Sequence, residues 1–172
     1  RVWILFLLSV VTCLQVKAQY MPVVFDKVYG DKNQIQLVCP LPGDEVALVG
    51  KEGQKYNLTW VEREGGVIFS LPLTGFTAVN EIVELDNSRV LVVGQSSVPN
   101  VKGKKDKITL CGRIVVINRG GRIVSDIYAG DQGSNFLKGM LLRSGAFVVS
   151  GSEPKGADGR QGILLKLDPT GS

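Results

Sequence analysis

The sequence predicts an all-β fold assembled from repeated four-stranded antiparallel units. Three observations predict it. Short β-branched and apolar runs alternate with Gly, Pro, Asn and Asp along nearly the whole chain, the text of strands and turns. One strand text recurs, as EVALVG at Glu45–Gly50, RVLVVGQSS at Arg89–Ser97 and GAFVVSGS at Gly145–Ser152. No segment sustains the i, i+3, i+4, i+7 spacing of a helix over roughly 11 residues. Phe76–Leu85 comes nearest, and its place before a turn and a VLVVG run favours a strand. The 172 residues, 44% of them hydrophobic, with 21 glycines, exclude a charged disordered chain and fit a turn-rich globular one.

The first element is the apolar run VWILFLLSVVTCL behind Arg1. It matches a signal-peptide core and is shorter than the about 20 residues of a membrane-spanning helix. Val16-Lys17-Ala18 supplies tolerated residues at the cleavage positions, so residues 1–18 read as a signal peptide. Cys13 as a lipid-modified cysteine is the alternative, but Val-Thr precedes it where a small residue is expected. Of the net charge of +4, two positive charges, Arg1 and Lys17, lie in this segment, so the remainder is nearly neutral. The cluster Lys102, Lys104, Lys105, Lys107 is broken by Asp106 and lacks aromatic neighbours for base stacking, so it reads as a solvated loop and not a nucleic-acid site.

The strands then follow in order. Val23–Tyr29 ends at Gly30-Asp31, and Ile35–Cys39 ends at Pro40-Leu41-Pro42-Gly43-Asp44 before Glu45–Gly50. Leu58–Val61 passes through Glu64-Gly65-Gly66 into Val67–Leu73. Ala78–Leu85 passes through Asp86-Asn87-Ser88 into Val90–Gly94. Ile114–Ile117 turns at Asn118–Gly121 into Arg122–Tyr128. Leu137–Leu142 precedes Ser144-Gly145 and Ala146–Ser150, and Ile163–Leu167 reaches Asp168-Pro169-Thr170-Gly171. That is twelve strands. Cys39 and Cys111 sit inside strand text, which favours two buried thiols over a disulfide, although export would permit one.

Three sets of positions repeat. Leu58–Val61 with its turn matches Ile114–Ile117 and Leu164–Leu167 with theirs; Val67–Leu73 matches Ile123–Tyr128 and, earlier, Val24–Tyr29; the opening strands end at Gly50, Gly94 and Gly151. The connection after each of those glycines varies in length, as insertions on one face of a repeat do. The D/N-x-x-G turns suit hairpins, where these residues supply positive φ. A full unit reads as LTWV, VIFSLPL, AVNEIVEL and VLVVG in one sheet, giving units of approximately 23–50, 58–94, 114–151 and 163–172 within a repeat region 19–172. Four-stranded units of about 45–55 residues are β-propeller blades. About three blades would not close a ring, so the expectation is an incomplete propeller.

The stretches RIVSDIYAGDQGSN, LLRSGAFVVSGSEPKGADGRQG and LLKLDPTGS resemble the repeats of secreted bacterial β-propellers of the delta-60, Kelch-like or quinoprotein-like kind. The resemblance covers nearly all of Tyr20–Ser172. It lacks the W-D dipeptide, the Kelch glycine doublet and the S-x-D-x-G-x-T-W box, so it implies a fold and no one chemistry.

No catalytic constellation stands out. The chain has no histidine, which removes Ser-His-Asp, Cys-His and His-metal sites from it. No phosphate-binding glycine loop is present. Asp26, Asp31, Asp126, Asp131 and Asp158 form no distinctive pair and read as turn carboxylates. Asp131–Asn135 offers oxygens to calcium but lacks the spaced acids and glutamate of a known loop. Asn57-Leu58-Thr59 is a glycosylation acceptor by sequence in a segment that looks buried, and Trp60 reads as a residue packed between blades before a sugar platform.

The expectation is therefore a secreted or cell-surface binding or scaffold module, without cofactor or metal. It would present Gln95–Leu110 and Ser152–Gly162 to an extracellular protein or glycan, without nucleic acid or a membrane span after signal cleavage. The alternative is the N-terminal part of a propeller enzyme, a quinoprotein-type dehydrogenase or a glycan-degrading enzyme, with its active site in other blades.

Overall fold

In the computed structural model, described for residues 34–86, 88–98, 109–156 and 159–168, the chain forms eleven strands and no α-helix. Three antiparallel sheets result. The first contains β1 (Gln34–Leu41), β2 (Glu45–Glu52), β3 (Lys55–Val61) and β4 (Val67–Pro72). The middle sheet contains β5 (Phe76–Asp86), β6 (Arg89–Val98), β7 (Thr109–Asn118) and β8 (Ile123–Ala129). The third contains β9 (Asn135–Leu141), β10 (Phe147–Lys155) and β11 (Gly159–Leu167). Within each sheet the strands lie in sequential order, so every sheet is a blade-like meander. The first 33 residues, with the expected signal peptide and the strand Val23–Tyr29, lie outside the described residues.

Every expected strand within the described residues is present, including Phe76–Asp86 as a strand. Their grouping differs from the expectation. Leu58–Val61 and Val67–Leu73 do not share a sheet with Ala78–Leu85 and Val90–Gly94; the boundary between sheets falls at Leu73-Thr74-Gly75, after β4. The repeat positions are still equivalent. The EVALVG, RVLVVG and FVVSGS strands are each the second strand of a sheet, and LTWV, IVVI and ILLKL are each the third. The unit is shifted by two strands against the sequence expectation.

The physical reason lies in the connections. Strand text and turn text are local, and the three-residue link from β4 to β5 is as short as a hairpin turn. Only packing decides that the chain crosses to a new sheet there. Leu73 and Phe76, on either side, are 4% exposed, buried between the first and middle sheets.

Two apolar interiors hold the stack together. One lies between the first and middle sheets, where Ala47, Val49, Leu58 and Trp60 meet Val79, Ile82, Val90, Val92, Val115 and Ile117. The other lies between the middle and third sheets, where Leu91, Val93, Ile114 and Val116 meet Phe136, Phe147 and Val149. The middle sheet is therefore covered on both faces, which explains its near-continuous VLVV and IVVI runs. Each fully buried Val, Leu or Ile contributes roughly 1.5–3 kcal/mol over its exposed state. Between sheets, the first strands make the most extensive contacts, β5 against β9 and β1 against β5. The fourth strands take less part: Phe69 and Leu71 of β4 and Ile127 and Ala129 of β8 pack at the margins of these interiors, while Val67, Ile68, Ile123 and Val124 are exposed.

Cys39 and Cys111 are free and buried, in β1 and β7 respectively. Burial raises both thiol pKa values. Among the described residues no helix is long and apolar enough to cross a membrane.

Candidate functional site

The meander sorts its connections between two ends. At one end lie the β1–β2, β3–β4, β5–β6, β7–β8 and β9–β10 turns. Three of these turns are copies of one another. In Glu62–Gly66, Asn118–Arg122 and Leu142–Ala146, the first residue donates its N–H to the carbonyl of the fifth, and the fourth donates to the carbonyl of the first. The fourth residue is Gly65, Gly121 or Gly145, with φ of 79°, 76° and 83°. This is a type I turn closed by a glycine bulge, which matches the twist of the flanking strands.

At the opposite end lie the β2–β3, β6–β7 and β10–β11 connections, with the links from β4 to β5 and from β8 to β9. Here lengths differ. Two residues join β2 to β3, ten join β6 to β7, and three join β10 to β11. The expected loop Gln95–Leu110 is shorter than its sequence suggests, because β6 runs to Val98 and β7 begins at Thr109; residues 99–108 lie outside the described residues. The expected loop Ser152–Gly162 is mostly strand. Ser152 pairs with Gly162 and Lys155 with Gly159, so Glu153-Pro154-Lys155 extends a ladder despite its polar text.

The repeated glycines do not end their strands. Gly50, Gly94 and Gly151 lie inside β2, β6 and β10, each opposite a register shift against the preceding strand. A Cβ on Gly94 would stand 2.0 Å from the Ala78 carbonyl oxygen, and one on Gly151 would stand 2.2 Å from that of Asn135. The bulge pushes backbone into the space a side chain would take, so only glycine fits.

Two guanidinium clamps hold this variable end. Arg113 of β7 is 7% exposed and lies between the rings of Phe76 and Tyr128, 4.7 and 5.0 Å from their centroids. Its Nε and Nη2 donate to the two carboxylate oxygens of Asp126 at 2.8 Å each. Its Nη1 donates to the Thr74 carbonyl at 2.5 Å, in the link entering β5. Burial alone would lower the pKa of Arg113; the Asp126 carboxylate more than offsets it, and the guanidinium stays charged. Beside it the Ser96 hydroxyl donates to the Gly75 carbonyl at 2.6 Å. In the third sheet, Arg160 of β11 donates from Nη2 to the Gly133 carbonyl at 3.0 Å, in the link entering β9, and to the Ser152 carbonyl and hydroxyl. In both sheets an arginine of the third strand ties down the link that starts the first. The sequence did not mark this pair, since Arg113 is a single arginine within strand text and Arg160 a single arginine within the expected loop Ser152–Gly162.

Next to the first clamp, a cavity of about 350 Å³ opens between the β2–β3 hairpin and the β4–β5 link, lined by Gln54–Asn57 and Pro72–Phe76. A second, more open and more polar hollow of about 320 Å³ lies on the other side of the hairpin, against Gln34, Gln36, Lys51 and Gly53.

The candidate residues fall as follows. Asp126 is the Arg113 partner. Asp131 belongs to the β8–β9 link, where its carbonyl accepts from the Ser134 N–H and hydroxyl, a turn role. Asp26, Asp31 and Asp158 lie outside the described residues. Among the described residues, no group of three or more His, Cys, Asp or Glu gathers to hold a metal. Trp60 is 0% exposed, packed between the first two sheets, and its Nε1 donates to Glu45 at 2.7 Å. It offers no face to a sugar. Asn57 pairs within the ladder opposite Pro72.

No family model matches the chain, and no curated protein matches it. A solved structure of a protein of unknown function from Bacteroides caccae is similar to it, at 16% identity and a TM-score of 0.33, over 86% of this chain and 68% of that one.

Proposed function

We propose that this protein is an exported β-propeller-type binding module that presents the variable end of its sheets to an extracellular protein or glycan. The separation of the connections carries the reading. One end repeats a single tight hairpin three times. The other end varies its connections between two and ten residues on a clamped base. A rigid scaffold with variable loops on one side is the arrangement of recognition surfaces.

The propeller reading is supported by the radial spread of the sheets. They meet along their first strands and part towards their fourth, as blades around an axis do. The apolar N-terminal run through Leu14 supports export. The chain carries no histidine, and Glu45, Glu81, Asp86 and Asp126 are each held in an ion pair, which supports recognition over hydrolysis or redox chemistry.

The test is replacement of residues 99–108 by an Asn-Gly turn, with binding measured on immobilised glycans and extracellular protein extracts. Binding is expected to disappear in that variant and to persist in Arg143→Ser, at the opposite end, with both variants folded by circular dichroism. A ligand that binds the two variants alike would place recognition elsewhere and refute the proposal.

A further inference from the structure

The cavity between the β2–β3 hairpin and the β4–β5 link has an unmatched polar group in its wall. Tyr56 lines it and is 5% exposed. The Lys51 ammonium lies over the Tyr56 ring, 5.0 Å from its centroid, but the Tyr56 hydroxyl has no hydrogen-bond partner among the described residues. A buried phenol hydroxyl ordinarily finds one. The cavity is the space beside Tyr56 from which a partner can come. The other lining groups narrow its chemistry. Leu73 and Phe76, each 4% exposed, give an apolar wall, and Arg113 fixes that wall through the Thr74 carbonyl. The Gln54 and Asn57 carboxamides each offer donors and an acceptor. Lys55, exposed, makes no ion pair among the described residues, and neither does Glu52 opposite it in the ladder. No acidic side chain lines the cavity.

An apolar wall beside a hydroxyl and two carboxamides suits a sugar ring, whose C–H face is apolar and whose hydroxyls both donate and accept. An unpaired ammonium in a lining without acids suits a carboxylate on that ring. The volume of about 350 Å³ lies at the low end of the roughly 300–1,000 Å³ of small-molecule pockets, room for one ring. An extended peptide would instead add to a free strand edge, and β3 beside the cavity is paired on both sides, with β2 and β4. We infer that this cavity binds one uronic acid ring of an acidic glycan, its carboxylate on Lys55 and a ring hydroxyl on the Tyr56 hydroxyl. The inference rests on the reading of the variable end as a recognition surface, and names its ligand class.

Titration calorimetry of the full chain with trigalacturonic acid, its methyl ester and the neutral maltotriose tests this. The acid is expected to bind about tenfold more tightly than the ester or the neutral sugar, as a charge-assisted contact does. Tyr56→Phe keeps the ring and is expected to weaken acid and ester alike, about fivefold, the loss of one hydrogen bond. Lys55→Met is expected to bind the acid no better than the ester. Lys166→Met makes the same charge change on β11, away from the cavity, and is expected to keep the tenfold preference. Wild type that does not bind the acid, wild type that binds acid and ester equally, or a preference that survives Lys55→Met overturns the inference. So does a polyglutamate peptide bound more tightly than the acid, since the partner is then a protein. Acid binding that is lost on replacing residues 99–108 but unchanged in Tyr56→Phe and Lys55→Met overturns this site and leaves recognition at the variable end standing. Failure of the recognition proposal itself is read separately, from the loop replacement against Arg143→Ser.

Discussion

Gly94 and Gly151 show how much one hydrogen in place of a methyl can decide. At both positions the neighbouring strand bulges, and its carbonyl occupies the place of a Cβ. Backbone cannot swing aside as a side-chain tip can, so alanine forces strands apart. Gly94→Ala and Gly151→Ala are each expected to lose about 1–3 kcal/mol, the usual cost of overpacking. Gly162→Ala, where a Cβ meets nothing within 4 Å, is expected to change stability little. Urea unfolding midpoints of the three variants check this, and a Gly162→Ala loss equal to the others would refute the steric account. The sequence showed the three repeated glycines clearly. It did not show their reason, because the crowding atom belongs to another strand 16 residues away in both cases, Ala78 against Gly94 and Asn135 against Gly151.

At the scale of elements, the links between sheets are the points of control. Three residues carry the chain from β4 to β5, and Arg113 anchors them from β7. Removing the guanidinium leaves the half-buried Asp126 carboxylate without its bidentate partner and the Thr74 carbonyl without its donor. Arg113→Met is expected to cost about 3 kcal/mol, the low end for a broken buried pair, because Asp126 retains some solvent. Arg113→Lys should recover little, since one ammonium cannot replace a planar fork between two rings. Chemical denaturation compares them, and full recovery by lysine would show that charge alone suffices. The strands themselves were legible from alternation and turn residues. Their grouping was not, because a crossing link such as Leu73-Thr74-Gly75 and a hairpin turn such as Leu142–Ala146 are both short and marked by Gly. Glu153-Pro154-Lys155 misled for a similar reason: its residues suit a loop, but pairing with β11 holds them in a ladder.

Across the whole molecule, polar bridges tie the sheets beside the apolar interiors. Asn80 of β5 donates to the Asn135 side chain at 2.7 Å, and Lys138 of β9 donates to Glu81 at 2.9 Å. At the tight-turn end, Arg119 of the β7–β8 turn reaches Glu45 at the start of β2, and Trp60 donates to the same carboxylate. The Arg119 hydrogen bonds hold the Glu45 pKa below the ordinary glutamate value, against the opposing effect of burial. A carboxyl group with a lowered folded-state pKa adds stability above its unfolded pKa and loses it as pH falls through the folded one. Glu45→Gln is therefore expected to be less stable than the wild type at pH 7, with the gap closing in acid below the glutamate range. Unfolding measured from neutral to acidic pH checks the sign; a gap that widens in acid would mean that Glu45 acts otherwise than through its charge.

The all-β class, the strands within the described residues, the hairpin turns, the buried cysteines and the equivalence of repeat positions were legible from the residues alone. Each of these is written in residues close together in the chain, as alternation, β-branching or a glycine at positive φ. Only the tertiary structure decided where one sheet ends and the next begins, that RVLVVG is a second strand, and that two arginines clamp the variable end. Those depend on which faces meet and which carbonyls a side chain can reach. That is a matter of stacking, and stacking joins residues that the chain keeps apart.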